Sequence, residues 1–351
     1  MLGFYIVLPF LFFALYRSFV VLYNYFKRPF LPEGIPTEGT FVSVLVYAQN
    51  AEKVIGNLLV GLSKQTHPDF EVLIFNDQST DKTVDVISQF AAGDKRFRLF
   101  NGNDINNGWN RKYYAFEKLS QITKGQYIIF IDSNLIVDGQ LVANAIANMQ
   151  HKSLSLLTIY PKPYAQGFWN RLQITTINWV WLSQASIVKY LTQRGREGVI
   201  TKNPMIIAEA SSYKANKWFE KFKDTEYPEV EISNQKSCEI LLGDDSLTFD
   251  VSEVYSSTSQ YLEHFIEKSF KNRNSLIAYS VAVSLGLILA IFLLPFPLVF
   301  LYLLALIYSQ MLVAMLLQQS IVVNLLTMPF QYFLLVKGLI NAIKKSGKSA
   351  L

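Results

Sequence analysis

Three kinds of hydrophobic pattern follow one another along this chain. Residues 1–26 are apolar apart from Arg17, Ser18 and Asn24, a run long enough to cross a hydrocarbon core of about 30 Å. From residue 41 the apolar runs become short and are bounded by polar residues: FVSVLVY at 41–47, EVLIF at 71–75, FRLF at 97–100 and QYIIFI at 126–131. Such runs predict buried strands. Between them, residues 54–62, 83–90 and 111–119 repeat their apolar positions at helical spacing. Strands alternating with helices predict an α/β domain with a mostly parallel sheet and right-handed crossovers.

The pattern then changes again. A helix over 141–149 and a strand over 154–160 precede a stretch, 164–191, that is rich in aromatic residues (Phe168, Trp169, Trp179, Trp181) and poor in charge. That stretch predicts a helix lying at a membrane interface, with a buried core helix as the alternative. Residues 276–294 and 298–323 form two apolar spans separated by Pro295-Phe296-Pro297, and 330–343 is too short to cross comfortably. The predicted organisation is a transmembrane helix (1–26), a stiff linker (27–40, with Pro29, Pro32, Gly34 and Pro36) and a cytoplasmic α/β domain (41–273). Two transmembrane helices (274–326) follow, then an interfacial amphipathic helix with a basic tail (327–351). A third C-terminal crossing is the alternative.

Composition supports the membrane assignment. The 351 residues are 51% hydrophobic and 17% charged, against about 25% charged in a soluble domain. The net charge of +5 comes from basic residues that flank the apolar spans, Lys27 and Arg28 at one end and Lys344, Lys345 and Lys348 at the other. This is the signature of cytoplasmic loops against anionic headgroups, and no nucleic-acid partner is expected. Cys238 is alone, which excludes an intrachain disulfide and a multi-cysteine zinc site, and His67, His151 and His264 are scattered. The first apolar run has no small-residue cleavage site after it and reads as an uncleaved anchor. Together these features favour a bacterial inner membrane.

Candidate chemistry gathers at the predicted strand ends, because ligands of open α/β sheets bind at the carboxyl ends of the strands. Asp132 ends the fourth strand. Asp77 follows the second, where a turn-capping role is the plain alternative to a ligand role, one that fits Asp81 better. Lys112 offers a cation to phosphate, or is an ordinary solvated helix charge.

The order FVSVLVYAQNAEKVIGNLLVGLSKQTHPDFEVLIFNDQSTDKT, then NNGWNRKYYAF, then YIIFIDSN resembles the family 2 glycosyltransferases, in particular their membrane-anchored, lipid-modifying members. The resemblance covers residues 41–140 well and the remainder loosely. It implies a GT-A fold, a nucleotide-diphospho-sugar donor, a lipid or membrane-embedded acceptor, and a divalent metal (Mg²⁺ or Mn²⁺) held on a DxD motif. Carried onto this chain, it assigns Ala48, Asp77 and Lys112 to nucleotide binding and Asp132 with Asn134 to the metal. The general base falls near Glu229 and Glu231, with Asp244 and Asp245 as alternatives that read more naturally as a hairpin turn.

The chain also departs from the family. Asn134 replaces the second acid of DxD, Asn76 replaces the first acid of the paired DD, and Ala51 stands where the first loop usually has Glu. Glu209 and Ser211 replace the Gly and Asn of a G-A-N segment, and LEHFIEKSFKNR (262–273) lacks the Gln and Trp of Q-x-x-R-W. Two functions are therefore carried forward. One is a sugar transferase acting at the membrane; the other is a non-catalytic membrane scaffold of the same fold that serves a partner protein.

Overall fold

In the computed structural model the described residues are 2–27, 29–102, 108–184, 205–221, 223, 237–254, 257–270 and 273–348. They divide into two compact units, residues 30–163 with 200–254 and residues 1–29 with 164–199 and 255–351.

The chain opens with helix α1 (Leu2–Lys27), after which the α/β unit begins. It runs β1 (Val42–Ala48), α2 (Ile55–Ser63), β2 (Phe70–Asn76), α3 (Thr83–Gly93), β3 (Phe97–Asn101), α4 (Arg111–Ser120), β4 (Tyr127–Asp132), β5 (Leu135–Val137), α5 (Leu141–Lys152), β6 (Leu156–Tyr160) and β7 (Lys162–Tyr164). After α6 (Phe168–Gln184), which belongs to the other unit, come β8 (Met205–Glu209), β9 (Cys238–Leu242) and β10 (Leu247–Asp250). Seven strands form one sheet in the order β3-β2-β1-β4-β8-β6-β9, and β5-β10-β7 form a second, small sheet. β3, β2, β1 and β4 are mutually parallel, and β8 runs antiparallel to both β4 and β6. Every residue of β2 is buried, as a strand covered on both faces requires. The aromatic core on the α4 side packs Phe116, Phe130, Tyr213 and Phe219 together, with ring centroids 5.0 to 5.9 Å apart.

Residues 30–40 are not a free linker. Gly34 N donates to Asn144 Oδ1 at 3.0 Å, Thr37 N donates to Gln150 Oε1 at 2.8 Å, and Phe30 bridges to Leu242. The segment is strapped across α5 as part of the α/β unit. Residues 243–245 differ from the expected hairpin as well. The strands on either side go to different sheets, β9 to β6 and β10 to β5, so the turn carries the chain from one sheet to the other.

The other unit is helical. Among the described residues three helices are long and apolar enough to cross a membrane, Tyr5–Lys27, Arg273–Leu293 and Phe296–Leu316; the last ends short of the expected 298–323, and a separate helix, Ile321–Leu326, follows. The C-terminal helix Met328–Lys348 is not among them. It packs on Thr258–Lys268 and ties to it through Asn341 Nδ2, which donates to Glu263 Oε1 at 2.8 Å. α6 departs from a helix lying on a surface with one free apolar face. Residues 172–174 and 176–183 are all buried by neighbours that include α1 and the helices Thr258–Lys268, Phe296–Leu316 and Met328–Lys348. Its polar positions explain this, because they point at partners. Ser183 Oγ accepts from Arg17, and Trp179 Nε1 donates to Ser309 Oγ at 3.0 Å.

Candidate active site

Three parallel strands end in register. Ala48 of β1 pairs with Asn76 of β2, and Tyr47 pairs with Asp132 of β4. The carboxyl ends of the three central strands thus bring the loops after β1, β2 and β4 to one place, where α/β sheets bind ligands. Backbone hydrogen bonds close the gaps: Asp77 N donates to Ala48 O at 2.8 Å and Ser133 N to Tyr47 O at 3.1 Å.

The loops after β1 and β2 are stitched together residue by residue. Asn50 sits in the left-handed region at φ 47°, and its Oδ1 accepts from Thr80 N at 2.9 Å. Asp81 accepts from Thr83 N and from Glu52 N, while Glu52 in return accepts from Lys82 N. Asp81 therefore closes the turn that leads into α3. Glu52 is a loop clasp, and Ala51 is buried beneath it.

Asp77 is wholly buried. Arg111 grips its carboxylate with both arms of the guanidinium, Nε to Oδ2 at 2.7 Å and Nη2 to Oδ1 at 2.6 Å, and the Tyr47 hydroxyl donates to Oδ2 at 2.7 Å. Burial alone would push the Asp77 carboxyl up. The Arg111 fork and the Tyr47 hydrogen bond outweigh it and hold the group below the ordinary carboxylate range. Burial, reinforced by that hydrogen bond, pushes the Tyr47 phenol up, so it remains a donor. Arg111 closes over the acid and is itself 41% exposed, so the guanidinium is the solvent-facing part of this pair.

Asp132 lies beside this pair. Its Oδ2 is 3.5 Å from Lys112 Nζ, both side chains are largely buried, and its Oδ1 accepts weakly from Asn134 N at 3.4 Å. Asn134 Oδ1 is buried with no hydrogen-bond partner. Lys112 and Arg111 are consecutive residues in the first turn of α4, which Asn110 caps by accepting from Lys112 N. Successive helical side chains diverge by about 100°, so one cation reaches Asp77 while its neighbour reaches Asp132.

A divalent metal on DxD takes hard oxygen ligands, one or two carboxylates with carbonyls, waters and substrate phosphates completing the shell. Asp132 supplies one carboxylate, already facing an ammonium, and Asn134 supplies an uncharged carbonyl. Among the described residues no group of three His, Cys, Asp or Glu side chains is placed to hold a metal ion. The donor set is a poor fit for a divalent ion, because its one carboxylate already faces the Lys112 ammonium.

The structure brings together Ala48, Asp77, Lys112, Asp132 and Asn134 of the residues singled out from sequence. Glu229 and Glu231 lie outside the described residues. Asp244 caps its own turn by accepting from Ser246, and Asp245 pairs with Lys162 at 2.8 Å. Asn76 has a structural reason to be an amide: its Nδ2 donates to Asn101 Oδ1 at 2.9 Å across the β2–β3 ends, which a carboxylate could not do. Glu209 accepts from Ser212 Oγ where β8 runs into the helix Ala210–Asn216, in place of a glycine-bearing turn. Arg111 and Tyr47 join the cluster without standing out in the sequence. A cavity of about 630 Å³, lined by Trp109, Tyr114, Lys118, Tyr213 and Lys214 among others, opens on α4, but none of the strand-end acids lines it.

A model of glycosyl transferase family 2 matches residues 43–225. Among curated relatives, a beta-monoglucosyldiacylglycerol synthase from Nostoc sp. is 26% identical over 150 residues, covering 41% of this chain and 31% of that protein. A 4,4'-diaponeurosporenoate glycosyltransferase from Staphylococcus haemolyticus is 29% identical over 141 residues, covering 38% and 36%. The chain thus matches about a third of the length of these relatives. Among solved structures, a mannosyltransferase from Pyrobaculum calidifontis in complex with GDP-Man and Mn²⁺ covers 96% of this chain and 98% of its own, at 15% identity and a TM-score of 0.47. With more than half of its residues matched by the family model, over the same strands and loops that build the acidic cluster, the chain belongs to glycosyl transferase family 2.

Proposed function

We propose that the protein transfers a sugar from a nucleotide-diphospho-sugar to a hydroxyl of a lipid or membrane-embedded acceptor. The observation that carries this reading is the cluster of Asp77, Arg111, Tyr47, Lys112 and Asp132 at three aligned strand ends. It lies in a chain that also holds three helices able to cross a membrane. The names of the two relatives, a beta-monoglucosyldiacylglycerol synthase and a 4,4'-diaponeurosporenoate glycosyltransferase, support a lipid acceptor.

In this reading Asp77 is a positioning residue. It fixes Arg111, whose exposed face and Tyr47 meet the nucleotide, while Lys112 and Asp132 face the diphosphate and the sugar. The acceptor oxygen attacks the anomeric carbon as the bond from that carbon to the β-phosphate oxygen breaks, its electrons leaving on the nucleoside diphosphate. The acceptor proton passes to a carboxylate, which we assign to Glu229 with Glu231 as its neighbour in sequence. In this reading the α/β unit faces the cytoplasm, supported by the basic residues beside the apolar spans, and the C-terminal helix lies at the headgroup plane. A bacterial inner membrane is the assigned location.

The test is transfer from radiolabelled UDP-glucose, UDP-GlcNAc or GDP-mannose by the full chain reconstituted in a bacterial lipid extract. Label in the organic phase with matching nucleoside diphosphate release is the expected result, and Asp132→Ala and Glu229→Gln abolish it. Undiminished turnover in both variants would refute the mechanism. Absence of donor binding and transfer with all three sugars would favour the non-catalytic scaffold.

A further inference from the structure

Resting on that transferase reading, we infer that the Lys112 ammonium takes the place of the divalent metal, so that this protein binds its nucleoside diphosphate without a metal ion. Three observations converge. Asn134 has removed one negative charge from the pair of acids that a metal would bridge. Lys112 lies 3.5 Å from the remaining acid, with its side chain only 16% exposed, so the cation is built into the site. Arg111 neutralises Asp77 in the same way one residue earlier on the same helical turn.

The charges then balance. Asp77, Asp132, Arg111 and Lys112 sum to zero, where two acids at DxD plus an acid at position 77 would present a strongly negative surface to an incoming diphosphate. A metal is needed in such a site both to cancel that repulsion and to meet the charge that grows on the leaving group. Here the repulsion is already cancelled, and a resident ammonium stands where that charge grows. A divalent ion would instead have to displace a cation from the only carboxylate of the motif. In this light Asn134 is not a mark of decay: with Lys112 on the remaining acid the site is already neutral.

The experiment is calorimetric titration of UDP and of GDP into the full chain in detergent, first with EDTA and then with Mn²⁺, with Mn²⁺ paramagnetic resonance as a direct readout of bound metal. The expected result is binding of one nucleotide whose affinity changes less than about threefold between the two conditions, with no nucleotide-dependent Mn²⁺ signal. Lys112→Ala weakens binding in EDTA by about tenfold to a hundredfold, and Lys112→Arg restores most of it. The double variant Lys112→Ala with Asn134→Asp regains nucleotide affinity only when Mn²⁺ is present, and gains the resonance signal. Wild-type binding that requires Mn²⁺ would overturn the inference and leave the transferase reading standing. Failure to bind either nucleotide in both conditions would overturn both.

Discussion

The Arg111–Asp77 pair makes a quantitative prediction about the α/β unit. One partner is fully buried and the other is 41% exposed, so the pair falls between two known regimes. Exposed ion pairs contribute about 0–1 kcal/mol, while breaking a buried pair costs about 3–5 kcal/mol because a charge is stranded. Two short parallel bonds to a charged acceptor, with the donor half in water, place the coupling at about 2–3 kcal/mol. The perturbation is a double-mutant cycle of Arg111→Met and Asp77→Asn. Hydrogen exchange of peptides from β1 and β2 in the full chain reads the opening free energy of this unit separately from the helical one.

The pH dependence has a definite sign. The folded Asp77 carboxyl is held below its ordinary value of about 3.9. Its contribution is therefore fully present above that value and is lost as the pH falls through the depressed folded pKa. The gap between wild type and Arg111→Met should be full at pH 7 and should narrow once the pH drops below about 4. A coupling under about 0.5 kcal/mol, or a gap that does not change between neutral and acid pH, would refute the claim that Asp77 is a buried anion held by its arginine.

Other outcomes follow from the same structure. Asn76→Asp, which restores the family's acid, removes the donor to Asn101 Oδ1 and buries a second carboxylate beside Asp77; it should cost about 2–3 kcal/mol, visible as faster exchange in β3. Gly61→Ala places a Cβ 2.2 Å from the Val137 carbonyl oxygen, and should destabilise by about 2–3 kcal/mol, whereas Gly93→Ala, with open space around it, should not. In the helical unit, Arg17 donates from Nε and Nη2 to Ser183 Oγ and lies 4.4 Å from the Trp179 ring. Arg17→Lys keeps the charge but loses the fork and the stacked plane, and should lower the thermal stability in detergent by about 1–2 kcal/mol.

The hydropathy pattern carried most of the architecture. The four runs at 41–47, 71–75, 97–100 and 126–131 became β1, β2, β3 and β4 to within a residue or so at each end; for β1, β2 and β4, buried on both faces, an apolar run with an abrupt polar boundary is required, while β3 is a half-exposed edge strand. What the pattern could not carry was pairing at long range. β10 follows β9 in sequence but joins β5 and β7, and β8 inserts antiparallel between β4 and β6. Nothing local in LLGDDSLTF separates a hairpin from a crossing between sheets. α6 was read as interfacial for a related reason. Its tryptophans and scattered polar residues suit a headgroup boundary as well as they suit a packed bundle, and only the partners Arg17 and Ser309 distinguish the two.

The site shows the same division between what one residue reveals and what requires a pair. Asp77 and Asp132 were legible because an acid at the end of a buried strand is conspicuous. Arg111 was not, because a basic residue in the first turn of a helix is usually a solvated charge. The available signal was stoichiometric: two acids at neighbouring strand ends and two consecutive cations, Arg111 and Lys112, entering from one capped turn. A helix places consecutive side chains about 100° apart, so a pair of adjacent cations can serve two separate acids only if the turn stands between them. The structure puts α4 there, with Asn110 holding its first turn. Read in this way, Asn134 and Lys112 belong together. Loss of an acid lowers the charge of a metal site, but beside a buried ammonium it yields a neutral site that can accept an anion on its own.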